Sequence, residues 1–249
     1  MPERPDPDLL YGRHPVLEAL LAGAAIRRVL IAKGAAKADN LEQIRAAAIR
    51  AGAEVQFQER RVLDRLTGGR NHQGVVAEAE PYRYSDADDL LQRESARLIL
   101  LDGVTDPSNL GSILRSMEAF GWTAVLTPKR RSVGVTPAVR KVAAGAADRI
   151  PVAQVGSPAD AVSKLREAGF LVAGLDPSGT VDYADEQLCS QRFCLVVGAE
   201  GKGLSELVKK RCEILVKIPM RGALASLNVA VAAAVVMSEI SRKPASGAA

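Results

Sequence analysis

Three short stretches of the chain hold the residue types from which a ligand site or a reaction could be built. The first runs Leu101-Asp102-Gly103-Val104-Thr105-Asp106-Pro107-Ser108-Asn109-Leu110-Gly111 and reaches Arg115. Asp, Pro, Ser and Asn in close succession make a loop that bonds to its own backbone. They set Asn109 near the start of a helix, with Arg115 about a turn and a half further on. An ordinary Asx-type turn followed by a surface Arg accounts for the same residues. The second stretch is Val197-Gly198-Ala199-Glu200-Gly201-Lys202-Gly203-Leu204. Three glycines directly after an apolar strand let the backbone approach a ligand closely. Lys202 is not followed by Ser or Thr, and the spacing is not G-x-G-x-x-G, so ATP and nicotinamide sites are disfavoured. A plain tight turn is the other reading. The third is Ile218-Pro219-Met220-Arg221-Gly222-Ala223-Leu224-Ala225-Ser226-Leu227-Asn228-Val229. Here a strand ends, a small-residue loop follows, and Ser226 is placed to cap the next helix. Asn228 is a polar amide at the start of an Ala- and Val-rich helix, either functional or a hydrogen-bonded structural amide.

All three stretches fall at the carboxyl ends of predicted strands, where open α/β sheets bind ligands. Continuous apolar runs predict buried strands over 97–102, 124–126, 171–175, 195–198 and 215–218, separated by helices over 111–120, 137–144, 158–168, 205–211 and 227–240. That alternation predicts a parallel sheet covered on both faces. The helix after Asn228 is almost wholly apolar, so it packs against the core or a partner. Before this part lies a smaller α/β unit, with helices over 15–21, 40–51 and 61–66 and strands over 28–32, 54–57 and 74–79. The domain reading is 1–80, a polar, acidic linker 81–95 with a short helix near Leu90, a main domain 96–241, and a disordered tail 242–249.

The 249 residues are 47% hydrophobic and 25% charged, which is globular composition. Lys and Arg number 33 against 29 Asp and Glu, a mild excess that sits in the C-terminal part and leans towards an anionic partner. Cys189, Cys194 and Cys212 cannot all pair and form no C-x-x-C. With only His14 and His72 as histidines, no metal site is expected, and the thiols read as free and reduced. The Pro- and Asp-containing start is unlike a signal peptide, and no apolar run is long enough to span a membrane. The protein is therefore expected to be soluble and cytoplasmic.

Taken in order, D-P-x-N-L-G-x-x-L-R, then G-x-E-G-x-G-L, then I-P-M-x-G-x-x-x-S-L-N-V resemble the three motifs of the SpoU (TrmH) family. These are S-adenosylmethionine-dependent RNA ribose 2′-O-methyltransferases of the SPOUT superfamily. The resemblance covers residues 96–241. It extends to Leu10-Tyr11-Gly12-Arg13-His14-Pro15-Val16-Leu17-Glu18-Ala19-Leu20 and Asn71-His72-Gln73-Gly74-Val75-Val76-Ala77, which resemble the substrate-binding domain of the RlmB subgroup. That subgroup methylates a guanosine ribose in the peptidyl-transferase region of 23S rRNA. The resemblance implies an α/β fold in which a trefoil-knotted parallel-sheet methyltransferase domain follows a smaller N-terminal RNA-binding domain. It also implies a homodimer and ribosomal RNA as the partner, with no membrane and no metal. One departure, Ala230 where the family often has Ser, keeps a small residue.

By this resemblance Arg115 is the catalytic residue. Asn109, Glu200, Ser226 and Asn228 orient it, the ribose and the dimer partner's loop. Gly198, Ile218 and Leu227 line the adenosine pocket with Val197, Gly203 and Met220. The family's Arg is often described as a general base, but a guanidinium stays protonated in proteins. Arg115 is better read as a cation that holds phosphate and stabilises a developing oxyanion. RNA contacts are expected from Arg13, His14, Arg70, Asn71 and His72, and from Lys129, Arg130, Arg131, Arg140 and Lys141, although a charge run is also what a solvated face looks like. The alternatives are methylation of tRNA or another rRNA site, and a non-catalytic RNA-binding role in ribosome assembly.

Overall fold

The structure is a computed structural model that describes residues 9–21, 23–35 and 39–243, with the backbone alone at residues 39 and 40. It divides into two compact units. One holds the chain up to Tyr82 with Thr136–Lys141, and the other holds Arg83–Val135 and the chain from Val142 onward.

The first unit is built from β1 (Leu9–Tyr11), α1 (Arg13–Leu21), β2 (Ile26–Ala32), α2 (Asp39–Arg50), β3 (Glu54–Gln58), α3 (Arg60–Leu66) and β4 (Val75–Ala79). Its sheet runs β1-β4-β2-β3, with β4 antiparallel to both neighbours and β2 parallel to β3. Alternation along β2 sends Val29 and Ile31 towards Val16, Leu20, Ile44 and Ala48 of α1 and α2. Leu30 and Ala32 go the other way, towards Leu63 of α3. The three-residue edge strand β1 has too few positions to show a period, and the sequence pattern does not predict it.

The second unit opens with α4 (Ala87–Leu91) and continues through β5 (Ala96–Asp102), α5 (Pro107–Phe120), β6 (Ala124–Pro128), α6 (Pro137–Ala143, whose residues up to Lys141 group with the first unit), α7 (Ala146–Arg149), β7 (Val152–Val155) and α8 (Pro158–Glu167). It closes with β8 (Leu171–Leu175), β9 (Val181–Asp182), β10 (Arg192–Gly198), α9 (Glu206–Arg211), β11 (Ile214–Lys217) and α10 (Val229–Arg242). All seven strands are parallel, in the order β7-β6-β5-β10-β8-β11-β9. Leu98, Ile99, Leu100 and Leu101 of β5 are fully buried, as a strand covered on both faces requires. Short β7 and β9 go beyond the predicted strands. Most of the predicted linker is packed into this unit: Asp86 caps α4, Leu90 is buried, and Ser85 bridges to Ala153.

Two differences in helix start bear on the site. The helix predicted from 111 begins at Pro107, because the Asp106 carboxylate accepts from the Ser108 amide at 2.7 Å and Pro107 fits the first turn. Asn109 is therefore inside the first turn. The helix predicted from 227 begins at Val229. Its cap is Asn228, whose Oδ1 accepts from the Ala230 and Val231 amides at 2.9 and 3.2 Å, and not Ser226. Of the predicted disordered tail, Arg242 closes α10 and Arg242 and Lys243 pair with Glu239. Residues 244–249 lie outside the described residues.

The order β5-β10-β8-β11 sets the ends of four strands side by side. Chain segments cross closely there: a Cβ on Gly179, in the loop after β8, would come within 2.7 Å of the Leu215 carbonyl oxygen in β11. Among the described residues no helix is long and apolar enough to cross a membrane.

Candidate active site

The loop after β10 is locked by its own backbone. Ala199 and Gly203 exchange two N–H···O bonds, at 3.1 and 2.8 Å, and Gly201 and Gly203 take left-handed φ values of 73° and 67°. A Cβ on Gly198 would stand 2.1 Å from the Gly203 carbonyl carbon and 2.4 Å from the Leu204 amide nitrogen. The glycine at 198 is thus demanded by the returning loop rather than by a ligand. A bulky residue placed there would test the loop's integrity first. Asp102, the last residue of β5, accepts from the Ser205 amide at 2.7 Å and anchors the far end of the same loop.

Opposite lies the segment from Ile218 to Asn228. Met220 to Ser226 are all exposed, and Leu227 is half-buried. Between the two runs an open cavity of about 490 Å³. Val197, Gly198, Glu200 and Gly203 contribute one wall, and Ile218, Met220, Ser226 and Leu227 the other. A larger cavity, about 550 Å³, sits at the ends of β6 and β7 near Asp86 and Lys164, away from the three motifs. The chemistry points to the smaller one.

Asn228 joins the motifs. Its Nδ2 donates to Asn109 Oδ1 at 2.9 Å and to Glu200 Oε1 at 2.5 Å, while its Oδ1 caps α10. One amide thereby uses its acceptor to start a helix and its donors to tie the first and second motifs to the third. Asn109 is buried on α5, and Glu200 is exposed on the rim. The structure brings Asn109, Glu200 and Asn228 together and places Ser226 on the cavity wall, but it does not bring Arg115 to them. Six residues along one helix turn Arg115 to a different face from Asn109. It is exposed there and makes no ion pair or hydrogen bond among the described residues.

A polar residue that the motifs do not contain also lines the cavity. Asp176, just after β8, is 5% exposed. Its Oδ1 accepts from the Ser178 amide at 3.0 Å and hydroxyl at 2.6 Å, and its Oδ2 faces Lys209 Nζ at 2.9 Å. Burial pushes its carboxyl up, but Ser178 and Lys209 together outweigh that and hold it below the usual carboxylate range. The signal in the sequence is an Asp-Pro-Ser-Gly turn at the end of a predicted strand, the same setting as the three motif loops.

Among the RNA-contact candidates, His72 is a correction. It is 1% exposed, with Nε2 2.8 Å from Asp64 Oδ1 and Nδ1 accepting from the Gly74 amide at 3.0 Å. It therefore shapes the turn rather than meeting solvent. Next to it Gln73 accepts from the Arg13 amide and Nε at 3.2 and 3.1 Å, which aims Arg13. Arg13 shares a shallow cavity of about 480 Å³ with Arg60, a residue the sequence reading passes over. His14 and Asn71 are exposed, and Arg70 lies over the Tyr11 ring and donates to its hydroxyl at 2.8 Å. Lys129, Arg130 and Arg131 are exposed in the second unit, whereas Arg140 and Lys141 group with the first.

The cysteines are free. Burial, with Cys212 nearby, raises the Cys194 thiol, and burial pushes Cys212 up to about 12, so neither offers a thiolate nucleophile. Among the described residues no group of three or more His, Cys, Asp or Glu is placed to hold a metal ion.

Fold and site together define an α/β protein with an open cavity at the carboxyl edge of a parallel sheet, where such sheets bind ligands. Comparison with known proteins narrows this. The SpoU rRNA Methylase family matches residues 96–238, and RNA 2′-O ribose methyltransferase substrate binding matches residues 9–85. An uncharacterized tRNA/rRNA methyltransferase of Mycobacterium avium (strain 104) is 41% identical over 253 residues, covering 97% of this chain and 81% of its own. The SpoU methyltransferase AviRb of Streptomyces viridochromogenes, solved in complex with AdoMet, aligns with a TM-score of 0.64 at 28% identity, over 94% of this chain and 89% of that one. An AdoMet-bound rRNA methyltransferase of Sinorhizobium meliloti aligns with a TM-score of 0.60 at 29% identity, over 94% and 86%. The chain belongs to the SpoU rRNA methylase family and is an RNA methyltransferase.

Proposed function

We propose that the protein transfers a methyl group from S-adenosylmethionine to a ribose 2′-hydroxyl of ribosomal RNA, at a guanosine in the peptidyl-transferase region of the 23S molecule. The observation that carries this reading is the Asn109–Asn228–Glu200 cluster, in which the three motifs meet and whose Glu200 lines the 490 Å³ cavity. The cavity fits such a cofactor: its size is in the range of small-molecule sites, one wall is glycine backbone, and the other carries Ile218, Met220 and Leu227. The cofactor supplies a methyl group already activated on a sulfonium. The chain's own residues must then hold the hydroxyl in line and stabilise the charge that develops on its oxygen.

Asn109, Glu200, Ser226 and Asn228 position the ribose, and Arg115 supplies the cation. Arg115 stands exposed on α5, which packs against α10, a helix whose Val231 is half exposed. We infer a cytoplasmic homodimer formed on the α5–α10 face, with the Arg115 of one copy serving the cavity of the other. The knot belongs to the same reading, supported by β10 lying between β5 and β8 and by the crossing at Gly179. The first unit presents Arg13, Arg70 and Asn71 to the RNA backbone.

Single-turnover transfer of labelled methyl groups to a 23S fragment should fall by about a hundredfold or more in Arg115→Ala, while cofactor affinity changes little. Mixing Arg115→Ala with Asn228→Ala copies should restore about a quarter of the activity if Arg115 acts across the dimer, and none if each copy uses its own. Mapping 2′-O-methyl groups on the ribosomal and transfer RNA of a deletion strain decides the target. Loss of a tRNA methyl group instead would overturn the rRNA assignment.

A further inference from the structure

Asp176 and Lys209 stand outside the three motifs, yet both line the cavity. The position of Asp176 is fixed from several sides. The Asp176 amide donates to the Val216 carbonyl at 2.9 Å, its own carbonyl accepts from Gly179 at 2.9 Å, and Gly179 is pressed against the β11 backbone. The carboxylate reaches the glycine loop as well: a Cβ on Gly203 would lie 3.5 Å from Asp176 Oδ2. Burying a carboxylate in a pocket wall costs solvation that an apolar residue would not lose.

The pair also has capacity to spare. Asp176 Oδ1 already takes two donors from Ser178, whereas Oδ2 takes only Lys209, and a carboxylate offers about four acceptor positions. Lys209 has three N–H donors and uses one at 2.9 Å on Asp176, with Glu206 at a looser 3.7 Å. An ammonium arriving at Oδ2 would meet the Lys209 cation, and a carboxylate arriving at Lys209 would meet Asp176. What fits both is a neutral group that donates and accepts from adjacent atoms.

We propose that Asp176 and Lys209 bind the cofactor as an acceptor and a donor side by side, taking a neutral donor–acceptor pair of its nucleoside. Two parts of the nucleoside have that chemistry, the vicinal hydroxyls of the ribose and the amino and ring-nitrogen edge of adenine. The proposal rests on the cofactor reading given above and adds a contact that none of the three motifs supplies. Asp176→Asn keeps an acceptor for Ser178 but turns an amide towards Lys209 and removes the charge.

Calorimetric titration of the full chain tests it with three ligands: S-adenosylhomocysteine, its 2′,3′-dideoxyribosyl analogue and its inosyl analogue. Asp176→Asn should weaken S-adenosylhomocysteine by about tenfold or more. Against one analogue the substitution should cost almost nothing, and that analogue names the group contacted. Binding within twofold of wild type, or an equal loss for all three ligands, would overturn the contact, the second outcome being what a purely structural Asp176 gives. Lys209→Met, on the face of α9, is read in the same titrations and keeps the test open if Asp176→Asn fails to fold. A wild-type chain that binds none of the three ligands refutes the cofactor reading itself, and this contact with it.

Discussion

The two walls of the cavity are made in opposite ways. The wall after β10 is backbone held to backbone: paired bonds between Ala199 and Gly203, left-handed glycines, and no room for a methyl group at Gly198. The wall before α10 is side chain and exposed loop, and among the described residues no backbone hydrogen bond anchors Pro219–Leu227. One wall is finished by folding. The other is tied down only at its end, where Asn228 caps α10 and bonds to Asn109 and Glu200. A site of this kind can admit a ligand at the open wall without disturbing the geometry of the closed one.

Glycine substitutions should show the contrast at its largest. Gly198→Ala forces a Cβ to 2.1 Å from backbone that cannot move without breaking the Ala199–Gly203 bonds. It should cost about 3 kcal/mol or more by urea denaturation. Gly222→Ala has nothing within 4 Å of the added carbon and should stay within about 0.5 kcal/mol of wild type. Equal effects at the two positions would mean that the walls do not differ in this way.

The tie between the walls should give a smaller effect, and it can be divided. Asn228→Ala removes both the cap and the two donated bonds, at about 1–2 kcal/mol of stability. Asn228→Asp keeps a capping oxygen but sets a carboxylate against Glu200. It should hold most of the stability while methyl transfer falls as far as in Asn228→Ala. If Asn228→Asp transferred methyl groups at the wild-type rate, the amide would be a cap and nothing more.

What could be read from the sequence follows the same division. The buried strand over 97–102 and the loops after strands announce themselves through continuous apolar runs and dense turn formers, so the three motif positions were legible. Short β1, β7 and β9 were not, since two to four residues carry no period. Nor was the choice between Ser226 and Asn228 as the cap. Both are good capping types two residues apart, and the tertiary bonds that Asn228 donates to Asn109 and Glu200 distinguish it. The burial of His72 was not legible either: its Gly74 partner is local, but Asp64 reaches it from α3. Arg115 was legible as a residue type, while its face on α5 depends on a helix start set by Asp106 and Pro107. Asp176 is not legible, because Asp-Pro-Ser-Gly reads as any turn would.

The effect that should fade in acid concerns the carboxylate at the edge of the closed wall, and pH should isolate it. Asp176 is nearly buried, and Ser178 and Lys209 keep its folded carboxyl below the ordinary range despite the opposing push of burial. A group whose folded pKa is depressed stabilises the fold above its unfolded value, about 4 for Asp, and that contribution fades as pH falls through the folded value. Asp176→Asn should therefore be less stable than wild type at pH 7, by about 1–2 kcal/mol for the loss of a charge-assisted bond. The gap should narrow steadily below about pH 4, because protonation then removes from wild type what the substitution has already removed. Urea midpoints of the two proteins at a series of pH values measure this directly. The sign is the decisive part: a gap that widened on acidification would mean that the carboxyl is held neutral in the fold, with Lys209 paired elsewhere. The closed wall would then owe its shape to glycine backbone alone.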